Sequence, residues 1–125
     1  MNPMKKILVV DDNTDILQVV ELILKSNGMQ VEGVSDGNEA IERIGKFKPD
    51  LVLLDVCLGG VDGRDICLKL KENTLTNRIP VIMFSAQSNK LEANQCKAQD
   101  FLGKPFEVTD LMGKINYQLS HPISN

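Results

Sequence analysis

Aromatic residues, histidine and long apolar runs are all scarce in this chain. It has no tryptophan, one tyrosine and one histidine among 125 residues, which leaves little to stack on a flavin or to build a nitrogen-rich metal site. No uninterrupted apolar run approaches the roughly 18 residues that a membrane span requires. The amino-terminal apolar run at residues 7–10 is stopped by Asp11 and Asp12, too early for a signal peptide. The cysteines Cys57, Cys67 and Cys96 are odd in number and lack paired metal spacing, so free thiols in a reducing compartment are expected. A strong excess of one charge is missing too. Fourteen Lys and Arg stand against 17 Asp and Glu, a formal charge of −3, too near neutral for nucleic acid to be a partner by default. The expectation is a cytoplasmic globular protein with no direct nucleic-acid or membrane partner.

What is present is an alternation of two patterns. Apolar runs at residues 7–10, 51–54 and 81–84 are too short for helices and rich in β-branched or large apolar side chains. Between them lie stretches of helical period, marked by Ile16, Val19, Val20, Ile23 and Leu24 first, and by Val108, Leu111, Met112, Ile115 and Leu119 last. Gly28 follows the first stretch where a helix C-cap is wanted, and Pro49 and Pro80 precede strand-like runs as breakers. Weaker patterns predict strands at 29–34 and 99–102 and helices at 38–44, 64–70 and 90–96, with a frayed tail from 121. Five strands alternating with five helices predict an α/β fold. Continuous apolar strands imply burial on both faces, hence a doubly wound, mainly parallel sheet. The length suits one domain over residues 1–125, with its core at about 5–120.

The polar residues that interrupt this pattern share a location. Asp11 and Asp12 end the first strand, Asp55 the third and Ser85 the fourth, while Lys104 follows the fifth. In an open parallel sheet the carboxyl ends of the strands border the crevice where ligands bind. Taken singly, each is read most simply as a helix N-cap or a solvated loop residue, the reading adopted for Asn13, Asp36 and Asp62. Five polar residues at four strand ends exceed what capping explains. Three neighbouring carboxylates repel unless a cation intervenes, and an oxygen-only set with one lysine suits Mg2+. Aspartate can attack phosphorus to give an aspartyl phosphate, a reaction that needs in-line positioning and neutralisation of the equatorial oxygens.

Val9-Val10-Asp11-Asp12, residues 51–54 with Asp55, Ser85-Ala86 and Lys104-Pro105-Phe106 resemble, in order and approximate spacing, the receiver domains of two-component response regulators. The resemblance runs from Ile7 to about Leu119. It implies a flavodoxin-like (βα)5 fold with strand order 2-1-3-4-5. It further implies that Asp55 is phosphoacceptor and Mg2+ ligand, with Asp12 a direct ligand, Asp11 a ligand through water, and the Cys57 main-chain carbonyl the last protein ligand. Lys104 is implied to pair with the phosphoryl group, Pro105 to follow a cis peptide bond, and Ser85 and Phe101 to form the switch pair. A sensor histidine kinase or histidine phosphotransfer protein would be the donor and a downstream target protein the reader. The chain would assist its own phosphorylation and dephosphorylation without being an enzyme for external substrates.

Departures from the family pattern are visible as well. Gly59 stands where the family usually has proline, and Gly59, Gly60 and Gly63 match no nucleotide-binding glycine pattern, so they read as a turn. Paired glycines would widen the conformations open to the loop. From Ser85 to Lys104 the chain is shorter than the pattern by roughly one helical turn. Cys57 and Gln87 occupy variable positions thought to tune phosphoryl lifetime. The alternatives are a phosphorylation-independent pseudo-receiver, a flavin-binding protein of the same architecture and an aspartate-nucleophile phosphatase. The last would want an aspartate at the place of Cys57.

Overall fold

In a computed structural model of the protein, residues 4–85 and 96–123 are described. Five strands, β1 (Lys6–Val10), β2 (Gln30–Val34), β3 (Leu51–Asp55), β4 (Val81–Ser85) and β5 (Asp100–Gly103), form one sheet in the order β2-β1-β3-β4-β5. Every pairing in it is parallel. The described helices are α1 (Thr14–Ser26), α2 (Ala40–Phe47), α3 (Gly63–Glu72) and α4 (Val108–Ser120), with a short 3-10 turn at Gly37–Glu39 leading into α2. This is the expected doubly wound α/β arrangement. The helix expected at 90–96 lies outside the described residues except for Cys96. No helix among the described residues is long and apolar enough to cross a membrane.

The apolar strands are continuous because the sheet buries both faces. Ile7, Val9, Leu51, Leu53, Ile82 and Phe84 pack with Leu17, Val20 and Leu24 of α1 and Leu111 and Ile115 of α4. Their neighbours Leu8, Val10, Val52, Leu54, Val81 and Met83 face the other way, against Ala40 and Ile44 of α2 and Ile66, Cys67 and Leu70 of α3. Each fully buried Leu, Ile or Val contributes about 1.5–3 kcal/mol relative to exposure, so neither layer tolerates an alternating polar strand.

Helix boundaries follow from local chemistry. Asn13 caps α1 by accepting hydrogen bonds from the Asp15 and Ile16 amides at 3.0 and 3.3 Å. Asp36 caps the 3-10 turn and Asp62 caps α3. α1 ends in a Schellman motif, with Gly28 at φ +80°, its N–H on the Lys25 carbonyl and the Met29 N–H on the Leu24 carbonyl. At the other end of the chain, His121 stacks on Tyr117 and hydrogen-bonds its carbonyl, so the capped helix end extends into the tail expected to fray.

One element was not foreseen as a strand. After β3 the chain forms a small antiparallel hairpin, Cys57–Leu58 paired with Val61–Asp62. Its two-residue loop is Gly59-Gly60, with φ of +53° and +88°, the backbone that a type I′ hairpin turn demands and that glycine adopts without steric penalty. The glycine pair thus selects one turn here.

Candidate functional site

Strand register brings the acidic residues together. Val10 pairs with Leu54, so Asp11 and Asp55 leave adjacent strands side by side; Asp55 pairs with Phe84, and Ser85 with Gly103, the residue before Lys104. Asp11 is fully buried, Asp55 and Ser85 are buried, and Asp12 is exposed. One carboxylate oxygen from each of Asp11, Asp12 and Asp55 lies within 4.8 Å of the others. That all-oxygen set, open to solvent on the Asp12 side, fits a hard, partly hydrated cation such as Mg2+.

Lys104 binds this cluster from within. Its Nζ donates to Asp11 Oδ2 at 2.7 Å and to Asp55 Oδ2 at 3.2 Å, and sits 4.4 Å from the centroid of the buried Phe84 ring. The ammonium therefore offsets part of the carboxylate repulsion while the aromatic face holds it in place. The Lys104-Pro105 bond is cis, as the resemblance implied, and the Lys104 N–H donates to the Ser85 carbonyl at 2.7 Å. Two main-chain amides also reach the cluster: Asn13 N–H donates to Asp11 Oδ1 at 2.9 Å and Cys57 N–H to Asp55 Oδ1 at 3.4 Å. Burial pushes the Asp55 carboxyl above the usual range; Lys104 opposes the rise and Asp11 adds to it.

Two supporting residues escaped the sequence reading. Phe84 was counted only as an apolar strand residue, although its place directly before Ser85 puts its ring under Lys104. Gly63 was read as part of a turn. In the fold a Cβ there would stand 1.9 Å from the Asp55 carbonyl oxygen and 2.9 Å from its carbon. The start of α3 is thereby packed directly on the backbone of the central acidic residue, with Gly63 N–H donating to the Val56 carbonyl at 2.8 Å. The departure at Gly59 also acquires a reason. Proline is locked near φ −65° and cannot occupy a residue at +53°. A Cβ at Gly59 would approach the Asp12 carboxylate to 3.3 Å.

The family model for the response regulator receiver domain matches residues 7–116. The chain belongs to that family. This receiver is also similar to a Chloroflexus aurantiacus J-10-fl protein assigned to the response regulators, at 32% identity and TM-score 0.90, covering 95% of this chain and 100% of that one. Similarity extends to the chemotaxis response regulator CheY4 of Vibrio cholerae, with 27% identity, TM-score 0.86 and coverage of 92% and 98%. A third similar structure is the receiver domain of a sensor histidine kinase from Pseudomonas aeruginosa PAO1, at 27% identity, TM-score 0.85 and coverage of 94% and 99%, which carries a magnesium ion coordinated in its active-site cleft. The strand-end cluster of this receiver is consistent with a phosphoacceptor and Mg2+ site of two-component signalling.

Each residue implied by the resemblance can now be placed. Asp11, Asp55 and Lys104 are in direct contact, Asp12 joins the two aspartates at the solvent edge, and the Cys57 side chain is exposed beside them. Ser85 ends β4 within the same rim. Phe101, on β5 opposite Met83, lies in the core with the side chains of the α2–α3 face. Gln87 and most of the shortened stretch from Ser85 to Lys104 lie outside the described residues. Beside the cluster runs an apolar groove of about 600 Å³ lined by Ile16, Val19 and Ile23 of α1 and by Lys104, Pro105, Phe106 and Val108.

Proposed function

We propose that this receiver is a phosphorylation switch in which Asp55 accepts a phosphoryl group from a histidine of a sensor kinase or phosphotransfer protein, in a Mg2+-dependent reaction. The observation that supports it is the placement of Asp55 between one ammonium and two further carboxylates, at hydrogen-bonding distance from Lys104. Asp11, Asp12, Asp55 and the Cys57 carbonyl would hold the ion. Bound there, Mg2+ supplies charge neutralisation for one phosphoryl oxygen and orients it for in-line transfer.

The chain's own residues carry the rest. An Asp55 carboxylate oxygen attacks phosphorus, the P–N bond to the donor imidazole breaks, and the imidazole leaves with the bonding pair. Lys104 is already within reach of Asp55 and exchanges that contact for a phosphoryl oxygen, keeping its bond to Asp11. The Ser85 hydroxyl donates to a third oxygen, and that charge-assisted bond biases the neighbouring segment. The groove that shares Lys104 with the site is where the donor protein docks, which sets its phosphohistidine beside Asp55. The product is an altered binding face for a downstream target, in the cytoplasm, and no external metabolite is turned over.

Incubation with a small-molecule phosphodonor and Mg2+ tests the proposal by mass spectrometry. One phosphoryl mass, labile to base and hydroxylamine, is expected on the wild type and none on Asp55→Asn. Undiminished labelling of that variant would rule out Asp55 as acceptor.

A further inference from the structure

A groove with no part in the acidic site opens at the opposite end of the sheet. It holds about 810 Å³ between α2, α3 and the turn that links α3 to β4. Its lining includes Pro49, just before β3, and Ile79, just before β4, which places it at the amino ends of the strands. The five residues of β3 separate it from the Asp55 side chain, about 15 Å at the rise of an extended strand. Ile44 and Leu70 are the buried part of the lining, whereas Ile41 on α2 is 42% exposed and Leu75 in the turn 87% exposed. That turn is tied down. Asn73 Oδ1 accepts from Leu75 N–H at 2.9 Å, Thr76 Oγ1 donates to the Leu70 carbonyl at 2.7 Å, and Lys71 Nζ donates to the Ile79 carbonyl at 2.6 Å. Leu75 is therefore held out beside an apolar trough by fixed backbone, and little ordering is left to be done on binding.

The charge around the trough has one sign. The lining carries two ammonium groups, Lys48 and Lys69, and no carboxylate. Neither lysine is ion-paired among the described residues, and both are exposed. Lys48 closes α2 at φ +53°, its N–H on the Ile44 carbonyl at 2.9 Å, and Lys69 lies in the last turn of α3. Both complement the helix C-termini they adjoin, a weak effect that leaves their ammonium groups facing solvent. Glu42 on α2 is held by Lys46 at 2.8 Å, and Glu72 borders a neighbouring depression that shares Lys69. On a chain with a formal charge of −3, this end of the molecule offers a local basic rim around an apolar floor.

We propose that this groove docks an acidic amphipathic helix of a partner protein, independently of phosphorylation. Its apolar side chains fill the trough against Ile44, Leu70 and Leu75, and its carboxylates meet Lys48 and Lys69. Charge and shape select this occupant. A second copy of the chain on a two-fold axis would bring the same basic rim against itself. A bilayer is flat and does not fill a concave trough between two helices. An amphipathic helix does, through anchors at i, i+3 or i+4, and i+7, and acidic flanks supply the opposite charge. Because the groove and Asp55 lie at opposite ends of the strands, the partner stays bound while a phosphodonor uses the acidic rim. It localises this receiver and does not read its phosphorylation state.

The probe is a synthetic helical peptide of about 15 residues with leucines at that spacing and glutamates on both flanks; its control carries lysine in place of each glutamate. Titrated into the isotope-labelled chain, the acidic peptide should give saturable NMR shifts at residues 41–48 and 69–79. Its affinity should be the same before and after treatment with Mg2+ and a small phosphodonor, and the basic peptide should bind at least about tenfold more weakly. Lys48→Glu combined with Lys69→Glu should weaken the acidic peptide by about tenfold or more, and Leu75→Ser should weaken it too. Leu75 is exposed, so the urea midpoint of Leu75→Ser should match wild type, and small-donor labelling should be normal in both variants. Absence of saturable binding, equal binding of the two peptides, or wild-type affinity in the charge-reversed variant would overturn the proposal. So would shifts centred on the groove of Ile16 and Phe106. Self-association through these residues, or binding to phosphatidylglycerol vesicles without binding of the peptide, would assign the groove to another occupant and overturn it as well.

Discussion

Replacing Gly63 by alanine adds one methyl group to the protein at the point where α3 meets the acidic site. A Cβ on the present backbone would lie 1.9 Å from the Asp55 carbonyl oxygen and 3.1 Å from the Val56 Cα. Ordinary contact between such atoms is reached only well beyond 3 Å, so the backbone must open by about 1 Å or more. Neither side can yield by rotating a side chain, because both are main chain. Overpacking of this kind costs about 1–3 kcal/mol. Loss of the Gly63 N–H bond to the Val56 carbonyl, 2.8 Å long, adds about 1 kcal/mol. The expected total is about 2–4 kcal/mol, a large part of the roughly 5–15 kcal/mol that a small domain has. Urea unfolding should then show a midpoint lower by about 1–2 M at unchanged slope. Since the displaced atom belongs to Asp55, phosphorylation by a small donor should slow more than the loss of stability explains under conditions where the variant is still folded. Gly113→Ala is the matched control. Gly113 is exposed inside α4 with nothing within 4 Å of its Cβ position, so the same added methyl should stabilise by about 0.5–1 kcal/mol. A Gly63→Ala protein within about 0.5 kcal/mol of wild type, the ordinary range for an unconstrained surface site, would refute the reasoning.

Further expectations concern the charged groups and the switch. Asp55 is raised by burial in the folded protein, so in the absence of metal its stabilising contribution is full below its unfolded value near pH 4 and is lost as pH rises through the folded value. Asp55→Asn should therefore be more stable than wild type at neutral pH without Mg2+, with the gain vanishing in acid; equal stability across that range in chemical unfolding would contradict it. Asp12 is exposed, so Asp12→Ala should leave metal-free stability within about 0.5 kcal/mol of wild type while weakening both Mg2+ binding and phosphorylation. Normal metal titration of that variant would count against the acidic set. Phe101 is already buried among core side chains and lacks the hydroxyl that would hold a tyrosine outward. Partner binding should accordingly show a smaller phosphorylation-dependent gain, with residual binding before modification. NMR shifts with a phosphate mimic that are confined to the loop after Asp55, leaving residues 96–106 silent, would show that the signal leaves by another face.

Much of this receiver can be read from short-range pattern, and the physical reason is that the pattern is local. Residues 7–10, 51–54 and 81–84 lack polar breaks because a parallel strand is covered on both sides, and their abrupt polar ends mark the rim of the sheet. Asn13, Asp36 and Asp62 were legible as caps because a cap bonds amides two or three residues away. The same rule located Asp11, Asp12, Asp55, Ser85 and Lys104, since each sits at or beside a strand end and parallel strands share one direction. The turn conformation at Gly59-Gly60 was beyond such a reading, because it depends on Cys57–Leu58 finding Val61–Asp62 as a partner. Contacts between distant parts of the chain were equally hidden. Lys104 meets Asp11 across 93 residues, Phe84 becomes its platform only through sheet register, Gly63 touches Asp55 only where α3 folds back onto β3, and Cys67 reaches Cys96 only after α3 has packed beside the entry to β5. Periodicity reports which face of an element is buried; the identity of the atom it is buried against is decided by the tertiary fold.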